Sequence, residues 1–141
     1  MMEVNLTVVG NVVADPEPGV TRNGVPYASF RVASTSRRLD KETGDWVPGD
    51  TLYLHVQCWR GLARSVVKTL HKGSPVLVQG RLHTRTVSGG DQPGEQRRTY
   101  TELTASAVGL DLARMGAVAA VERGERQGQE GQEEEQHQSA A

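Results

Sequence analysis

The segment Thr51–Arg60 alternates between apolar and polar side chains with a period of two, which predicts a β-strand with two unlike faces. The apolar face fits a packed core and carries Leu52, Leu54, Val56 and Cys58. The other face carries Tyr53, His55, Gln57 and Trp59. Two rings among polar and titratable groups suit a polyanion with flat units, such as a single-stranded nucleic acid, and equally suit contact with another subunit.

Two other predicted strands carry cations opposite their apolar residues. The strand over about residues 75–87 has an outward row made of Arg81, His83 and Arg85. The strand over about residues 25–39 buries Phe30 and Val32, and its other face carries Arg31, Thr35 and Arg37. Rows of cations beside aromatic rings are what sequence-tolerant binding along a nucleic-acid backbone requires, so they favour the nucleic-acid interpretation.

The remaining pattern completes a small barrel. Strands are predicted over about residues 3–13, 25–39, 51–60, 75–87 and 97–109, and one helix over about residues 62–71 that stops before Gly73. Residues 15–19 are predicted to form an irregular segment that separates the first two strands. This order, with the helix between the third and fourth strands, predicts an all-β fold: a five-stranded Greek-key barrel of the OB type. Trp46, in the long connection before the third strand, could plug the barrel or contact a base.

Charge divides the chain into two parts. Residues 1–110 carry a balance of +3, whereas residues 111–141 carry −4, so the net charge of −1 conceals a mildly basic body and an acidic tail. The tail is rich in Gln, Glu and Gly. We therefore predict an OB-fold domain that binds a single-stranded nucleic acid at residues 1–112 and a flexible, disordered, low-complexity acidic tail at residues 113–141.

The sequence offers no catalytic centre. It contains no phosphate loop and no nucleophile–base arrangement, and its four histidines have no metal-ligand spacing with one another or with Cys58. We predict a protein that is not an enzyme and uses no metal and no cofactor. No apolar run reaches the length of a membrane span and no secretory signal pattern is present, which predicts a cytoplasmic, nucleoid-associated protein without membrane contact.

The single cysteine excludes a disulfide within one chain. Cys58 lies on the predicted core face of its strand, which favours a buried free thiol. A disulfide between subunits is the alternative, if this strand lies near a symmetry axis.

Several short stretches occur in a familiar order. They are Val9-Gly10-Asn11-Val12, Asp15-Pro16-Glu17, Phe30-Arg31-Val32-Ala33-Ser34-Thr35, Asp40-Lys41-Glu42-Thr43-Gly44, Trp59-Arg60-Gly61-Leu62-Ala63, Leu70-His71-Lys72-Gly73-Ser74 and Gln79-Gly80-Arg81-Leu82. Together they resemble the bacterial single-stranded DNA-binding proteins, most of all the actinobacterial type. The resemblance covers about residues 1–110.

The resemblance implies an OB-fold, a homotetramer, and wrapping of single-stranded DNA by stacking and basic contacts. Tyr53 and Trp59 stand where the family places stacking rings, whereas Arg38 and Val87 stand where other members have further rings. We therefore expect more reliance on charge. The predicted DNA-contacting residues are Tyr53, Trp59, His55, Arg37, Arg38, Lys41, Lys72, Arg81, His83, Arg85 and Arg97.

The tail departs from the family. Many members end in an acidic stretch with an Ile-Pro-Phe-like tip that recruits replication and repair enzymes, and this sequence ends without an aromatic residue or a proline. This implies a specialised paralogue with weak or absent recruitment, acting in DNA replication, recombination, repair or chromosome segregation. The alternative is an OB-fold protein-interaction module whose aromatic face is a subunit interface.

Overall fold

The computed structural model describes residues 2–87 and 96–116. The elements, in chain order, are β1 (Val4–Val12), β2 (Glu17–Val20), β3 (Pro26–Leu39), β4 (Trp46–Trp59), α1 (Arg60–Thr69), β5 (Pro75–Val87) and β6 (Arg98–Leu110). The chain divides into two compact units, Met1–Leu110 and Asp111–Ala141.

Five of the six described strands close into a barrel. The sheet order is β1-β5-β6-β4-β3, and β3 returns to β1 through the pairs Asn11–Ala33 and Val12–Val32. The pairings are antiparallel except that of β4 with β6, which runs parallel over His55–Gln57. This is the predicted Greek-key barrel of the OB type, with the helix between the predicted third and fourth strands, and the fold prediction is confirmed.

The structure adds one short strand that the sequence pattern did not predict. β2 occupies part of the segment predicted as irregular, and it pairs with β3 from Glu17–Ser29 to Val20–Pro26. A proline at position 18 is compatible with this strand because β2 lies at the edge of the sheet. The turn that joins β2 to β3 places Gly24 at φ +80°, as an Asn-Gly turn favours.

The barrel closes at a glycine. A Cβ on Gly10 would overlap the carbonyl oxygen of Ala33 and would lie 2.6 Å from Cγ1 of Val32. Only a glycine therefore lets β1 come close enough to β3 to begin pairing with it at Asn11, while β1 still pairs with β5. The core inside the closed barrel is made of Val8, Val12, Ala28, Phe30, Val32, Leu54, Val56, Cys58, Ala63, Val66, Leu70, Val76, Val78 and Leu103.

The helix ends earlier than the sequence predicted. α1 stops at Thr69, because Leu70 adopts an extended backbone with ψ 146° and buries its side chain in the core. Gly73, expected to stop the helix, instead takes φ +93° in the following turn, which leads into β5. Helical periodicity continued through Leu70, but packing of that side chain decided the end of the helix.

The β3–β4 hairpin extends beyond the barrel. Among the described strands, residues 34–39 of β3 and 46–52 of β4 pair only with each other, and we call this two-stranded extension the arm. Leu52 was predicted in the core and this was wrong: it is 59% exposed. Its side chain points to the expected side of β4, but it lies on the arm, where no second layer of the described structure covers that side.

The second unit is described only at its beginning. Residues 112–116 are helical, and Asp111 Oδ1 accepts a hydrogen bond from the Ala113 N–H at this helix start. Asp111 Oδ2 lies 2.8 Å from Arg114 Nε, and the hydrogen bond from that side chain lowers the pKa of the Asp111 carboxyl. The predicted flexible tail, from residue 117 onward, lies outside the described residues.

Closure at Gly10 yields a stability prediction. Gly10→Ala should lower the free energy of unfolding by about 1–3 kcal/mol, because the added Cβ meets backbone that cannot move without opening the barrel. Chemical denaturation followed by circular dichroism measures it. Gly61→Ala is the matched control: a Cβ there has nothing within 4 Å, and the change should be neutral or slightly stabilising in α1. Equal losses in both variants would contradict the role of Gly10 in closure.

Candidate nucleic-acid interface

Four neighbouring strands present one continuous outer face. The register places His83 of β5 beside Glu102 of β6, Glu102 beside His55 of β4, and His55 beside Arg31 of β3. Register partners point to the same side of a sheet, so these four residues form a single row across the strands. We call the side of β3, β4, β5 and β6 that carries this row the outer face.

Two ring contacts organise the β3–β4 part of the outer face. Trp59 and its cross-strand partner Tyr27 have ring centroids 5.6 Å apart and planes tilted by 51°. The Arg31 guanidinium carbon lies 5.0 Å from the centroid of the Tyr53 ring, a cation–π geometry. Trp59 remains 38% exposed and Tyr53 54% exposed. Both rings are thus braced by a neighbour while part of each surface stays open for stacking.

The β5–β6 part of the outer face holds a buried acid. Glu102 is 3% exposed, and its Oε1 lies 2.9 Å from Nε of Arg85, which is itself 57% exposed. A carboxylate with so little access to water needs such a partner to offset the loss of hydration. The ion pair fixes Arg85 through one N–H and leaves its remaining guanidinium donors for another acceptor.

The three predicted cations on β5 therefore differ in how accessible they are to a ligand. Arg81 is exposed, and Arg85 is held by Glu102. His83 is half-buried, and its Nε2 shares a hydrogen bond with Thr104 Oγ1 at 2.7 Å. Of the three, Arg81 and Arg85 offer the accessible charge.

The structure brings together only part of the predicted site. The outer face carries Tyr53, Trp59, His55, Arg37, Arg81, His83 and Arg85. Arg38 pairs with Val47 and lies on the opposite side of the arm from Arg37. Three further predicted cations lie on exposed connections rather than on the sheet: Lys41, Lys72 and Arg97. Lys72 donates its backbone N–H to Asp15 Oδ1 at 2.8 Å, which anchors the turn after α1.

Two rings on the outer face were missed in the sequence. Tyr27 contacts Trp59, and Tyr100 pairs with Arg85 and is 44% exposed. The signal for Tyr100 was present, because Tyr100 alternates with Glu102 and Thr104 against the buried Leu103. For Tyr27 the period-two pattern indicated its side but not its neighbour, which depends on the pairing register of β3 with β4.

Cys58 lies inside the barrel. It is 0% exposed, and burial raises the pKa of its thiol to about 11. A thiol that stays protonated and shielded is a poor nucleophile, which favours the buried free thiol of the two alternatives. The inter-subunit disulfide stays a prediction that would require the Cys58 side chain to leave the barrel interior.

A metal centre and a membrane-spanning helix are two features that the described residues lack. Within residues 2–87 and 96–116, no group of three or more His, Cys, Asp and Glu side chains is arranged to hold a metal ion. In the same part of the chain, no helix has the length and apolar character needed to cross a membrane.

Comparison with known proteins decides the family. Residues 4–111 match the model described as the single-strand binding protein family. The chain belongs to this family. The resemblance drawn from the ordered sequence motifs is thereby confirmed.

Relatives and a solved structure carry the same description. The chain is 43% identical to a "Single-stranded DNA-binding protein" of Corynebacterium glutamicum over 78% of its own length and 48% of the relative. It is 42% identical to "Single-stranded DNA-binding protein 2" of Streptomyces coelicolor over 89% of its own length and 62% of the relative. It therefore spans about half to three fifths of these relatives. The crystal structure of a small single-stranded DNA-binding protein from Streptomyces coelicolor matches with a TM-score of 0.67 and 40% identity, over 81% of this chain and 99% of that one.

The burial of Cys58 yields a chemical prediction. In the native protein at pH 7–8, a thiol reagent such as Ellman's reagent should label Cys58 at less than about a hundredth of the rate seen in denaturant, because the thiol is both shielded and protonated. Mass spectrometry counts the labelled chains. Rapid native labelling, or a dimer band on a non-reducing gel of protein prepared with thiols blocked, would contradict the core position.

Proposed function

We propose that the chain binds single-stranded DNA without sequence preference, through base stacking and basic backbone contacts on the outer face. The observation that carries the proposal is the pair of exposed rings, Tyr53 and Trp59, on one face with Arg31, Arg81 and Arg85. Rings bind any base through its flat surface, and cations follow the phosphates, which is the chemistry of sequence-tolerant binding. Family membership and the names of the relatives support it.

The outer face distributes these tasks between its two halves. Stacking belongs mainly to the β3–β4 half, where each base–ring contact is worth about 1–3 kcal/mol. Charge belongs mainly to the β5–β6 half, where Arg81 and Arg85 reach the surface. Val87 is 44% exposed at the end of this half and offers no ring. We expect its place to be taken by charge, and affinity to fall steeply with salt.

An apolar pair on the outside of the barrel bears on how several copies of the chain assemble. Val9 and Leu77 are register partners on the outside of β1 and β5, and they are 45% and 38% exposed. Exposed apolar pairs on a sheet mark protein interfaces, and this one lies on other strands than the Tyr53 and Trp59 rings. We propose that it contributes to a homotetramer. Leu77 shares the outward side of β5 with Arg81, but contact through Val9 and Leu77 leaves the Tyr53 and Trp59 rings available to DNA, which disfavours the alternative of a pure protein-interaction module.

We further propose a division of the chain into domains and a cellular role. Residues 1–112 form the DNA-binding domain, and residues 113–141 form an acidic tail. The protein coats and protects single strands during DNA replication, recombination, repair or chromosome segregation. It acts in the cytoplasm at the nucleoid, without catalysis and without a cofactor.

The decisive experiment is a titration of the full chain into fluorescein-labelled oligo(dT), followed by anisotropy at two salt concentrations with unlabelled duplex as competitor. The proposal expects saturable binding that weakens with salt and resists duplex competition. No binding at low salt, or equal competition by duplex, would remove single-stranded DNA as the ligand and leave the protein-interaction alternative.

Trp59 provides the stacking prediction. Trp59→Ala should weaken binding to oligo(dT), oligo(dA) and oligo(dC) alike, by about 1–3 kcal/mol or about 5- to 150-fold, because stacking does not depend on base identity. The control is Val67→Ala on α1, since Val67 is exposed to the same fraction, 38%, but lies outside the outer face. A loss for one base type alone would indicate hydrogen-bond recognition instead of stacking.

The Arg85–Glu102 ion pair predicts opposite effects from its two partners. Arg85→Ala removes a phosphate contact, so it should weaken binding and reduce the slope of log K against log salt by about 0.7. Glu102→Gln keeps the side-chain shape but removes the opposing charge, so it should tighten binding and steepen that slope. Anisotropy titrations across a salt series measure both. Weaker binding in both variants would show that the pair acts on folding of the face rather than on charge.

A further inference from the structure

Trp46 is the most exposed ring among the described aromatic residues. It is 66% exposed, against 54% for Tyr53 and 38% for Trp59. It begins β4, near the tip of the arm, where the sequence left its role open between a plug and a base contact. A side chain with this exposure does not plug the barrel. A large apolar ring left in water calls for a ligand or a partner surface.

A bulge in the arm decides which way Trp46 points. Thr35 pairs with Thr51, but two residues further along β3 Arg37 pairs with Pro48, so Gly49 and Asp50 of β4 together oppose Ser36. One extra residue in a strand reverses the side to which the following residues point. In an unbroken β4, Trp46 would share the face of Leu52. With the bulge, Trp46 shares the outer face with Tyr53 and Trp59.

The bulge is built into the local chemistry. A Cβ on Gly49 would lie 2.9 Å from Ser36 Oγ, so a glycine lets the two strands approach here. The Ser36 hydroxyl donates to the Asp50 carbonyl oxygen at 3.2 Å, and the Thr35 and Thr51 hydroxyls share a hydrogen bond at 2.8 Å just before the register changes. These contacts between β3 and β4 hold the bulge in place and thereby determine the side of the arm to which Trp46 points.

The surroundings of Trp46 combine the two features of the outer face, an exposed ring and an exposed cation. An open hollow of about 450 Å³ is lined by Thr35, Arg37, Trp46, Val47 and Pro48. It combines an exposed ring with an exposed guanidinium on the same face. A base on the ring would place its phosphate within reach of Arg37, so the hollow suits a nucleotide unit of a single strand.

We propose that Trp46 is a third stacking position, which extends the DNA path along β4 from Trp59 through Tyr53 to the tip of the arm. The three rings are spread over 14 residues of β4, about 40 Å of extended strand. This inference rests on the proposed function, since it names a further contact for the same ligand. Its consequence is a site whose length depends on the arm: a short oligonucleotide held at Tyr53 and Trp59 leaves Trp46 uncovered, and a long one covers all three rings.

The direct test uses a protein with one tryptophan. In full-length Trp59→Phe, which keeps a ring at position 59, Trp46 is the only tryptophan left. Binding is followed by anisotropy of fluorescein-labelled oligo(dT), and Trp46 emission is recorded in a parallel titration with unlabelled oligo(dT). We expect oligo(dT) of about 30 nucleotides to quench Trp46, and oligo(dT) of about 6 nucleotides to leave it unquenched. Saturated binding of the long oligonucleotide without quenching would overturn the Trp46 inference, whereas no anisotropy change in the wild-type chain would overturn the proposed function itself.

A second test measures affinity at the two oligonucleotide lengths. Trp46→Ala should weaken binding of the long oligonucleotide about fivefold or more and leave the short one unchanged. The matched control is Leu52→Ala, an exposed apolar residue on the same arm that points to the opposite side. Equal losses in Trp46→Ala and Leu52→Ala would show a general effect of the arm and contradict stacking.

Removing the bulge tests its part in directing the ring. Deletion of Gly49 restores simple alternation and turns Trp46 away from the outer face, so this variant should reproduce the Trp46→Ala loss with the ring still present. Circular dichroism checks that the barrel remains folded. Wild-type affinity for the long oligonucleotide in a folded deletion variant would overturn the role of the bulge. Trp46 emission that is blue-shifted without DNA and insensitive to DNA would assign the ring to a subunit contact and overturn the stacking role.

Discussion

The pairing register of β4 is the constraint on which the binding face depends. β4 pairs with β3 over nearly its whole length but with β6 over only three residues, His55–Gln57. The first pairing lines up Tyr27 with Trp59 and Arg31 with His55. The second brings the β5–β6 half, with Arg85 and Glu102, alongside. A slip of one residue in β4 would turn Tyr53 and Trp59 toward the core and expose Val56 and Cys58. The packed barrel interior therefore enforces the arrangement of the surface.

This constraint accounts for a basic face that contains an acid. The barrel is only mildly basic, and Glu102 neutralises part of Arg85 at the centre of the outer face. The rings of the site are held in place by neighbouring side chains. The cations lie around these rings and are not concentrated at one point. Such a face would hold a strand through many moderate contacts, as the proposed sequence-independent binding requires.

Periodicity predicted five of the six described strands, the helix and the two principal rings, because alternation in buried strands directly reflects the core. The main failures share one cause: a periodic pattern does not show which strands or layers lie next to a given residue. Leu52 alternates like a core residue but lies on the arm, where no second layer of the described structure covers it. Trp46 joins the outer face only because a bulge reverses the alternation at Gly49. The end of α1 was set by burial of Leu70, a tertiary contact that helical pattern does not reveal.

Single-stranded DNA is proposed to lie along the outer face of β3, β4, β5 and β6. Ultraviolet crosslinking of oligo(dT) to the full chain, with the crosslinked residues mapped by mass spectrometry, would locate the bound strand on the protein. We expect crosslinks at Tyr53 and Trp59, and at Trp46 when the oligonucleotide is long. Crosslinks confined to α1 or to the outside of β1, with none on β4, would contradict the claim.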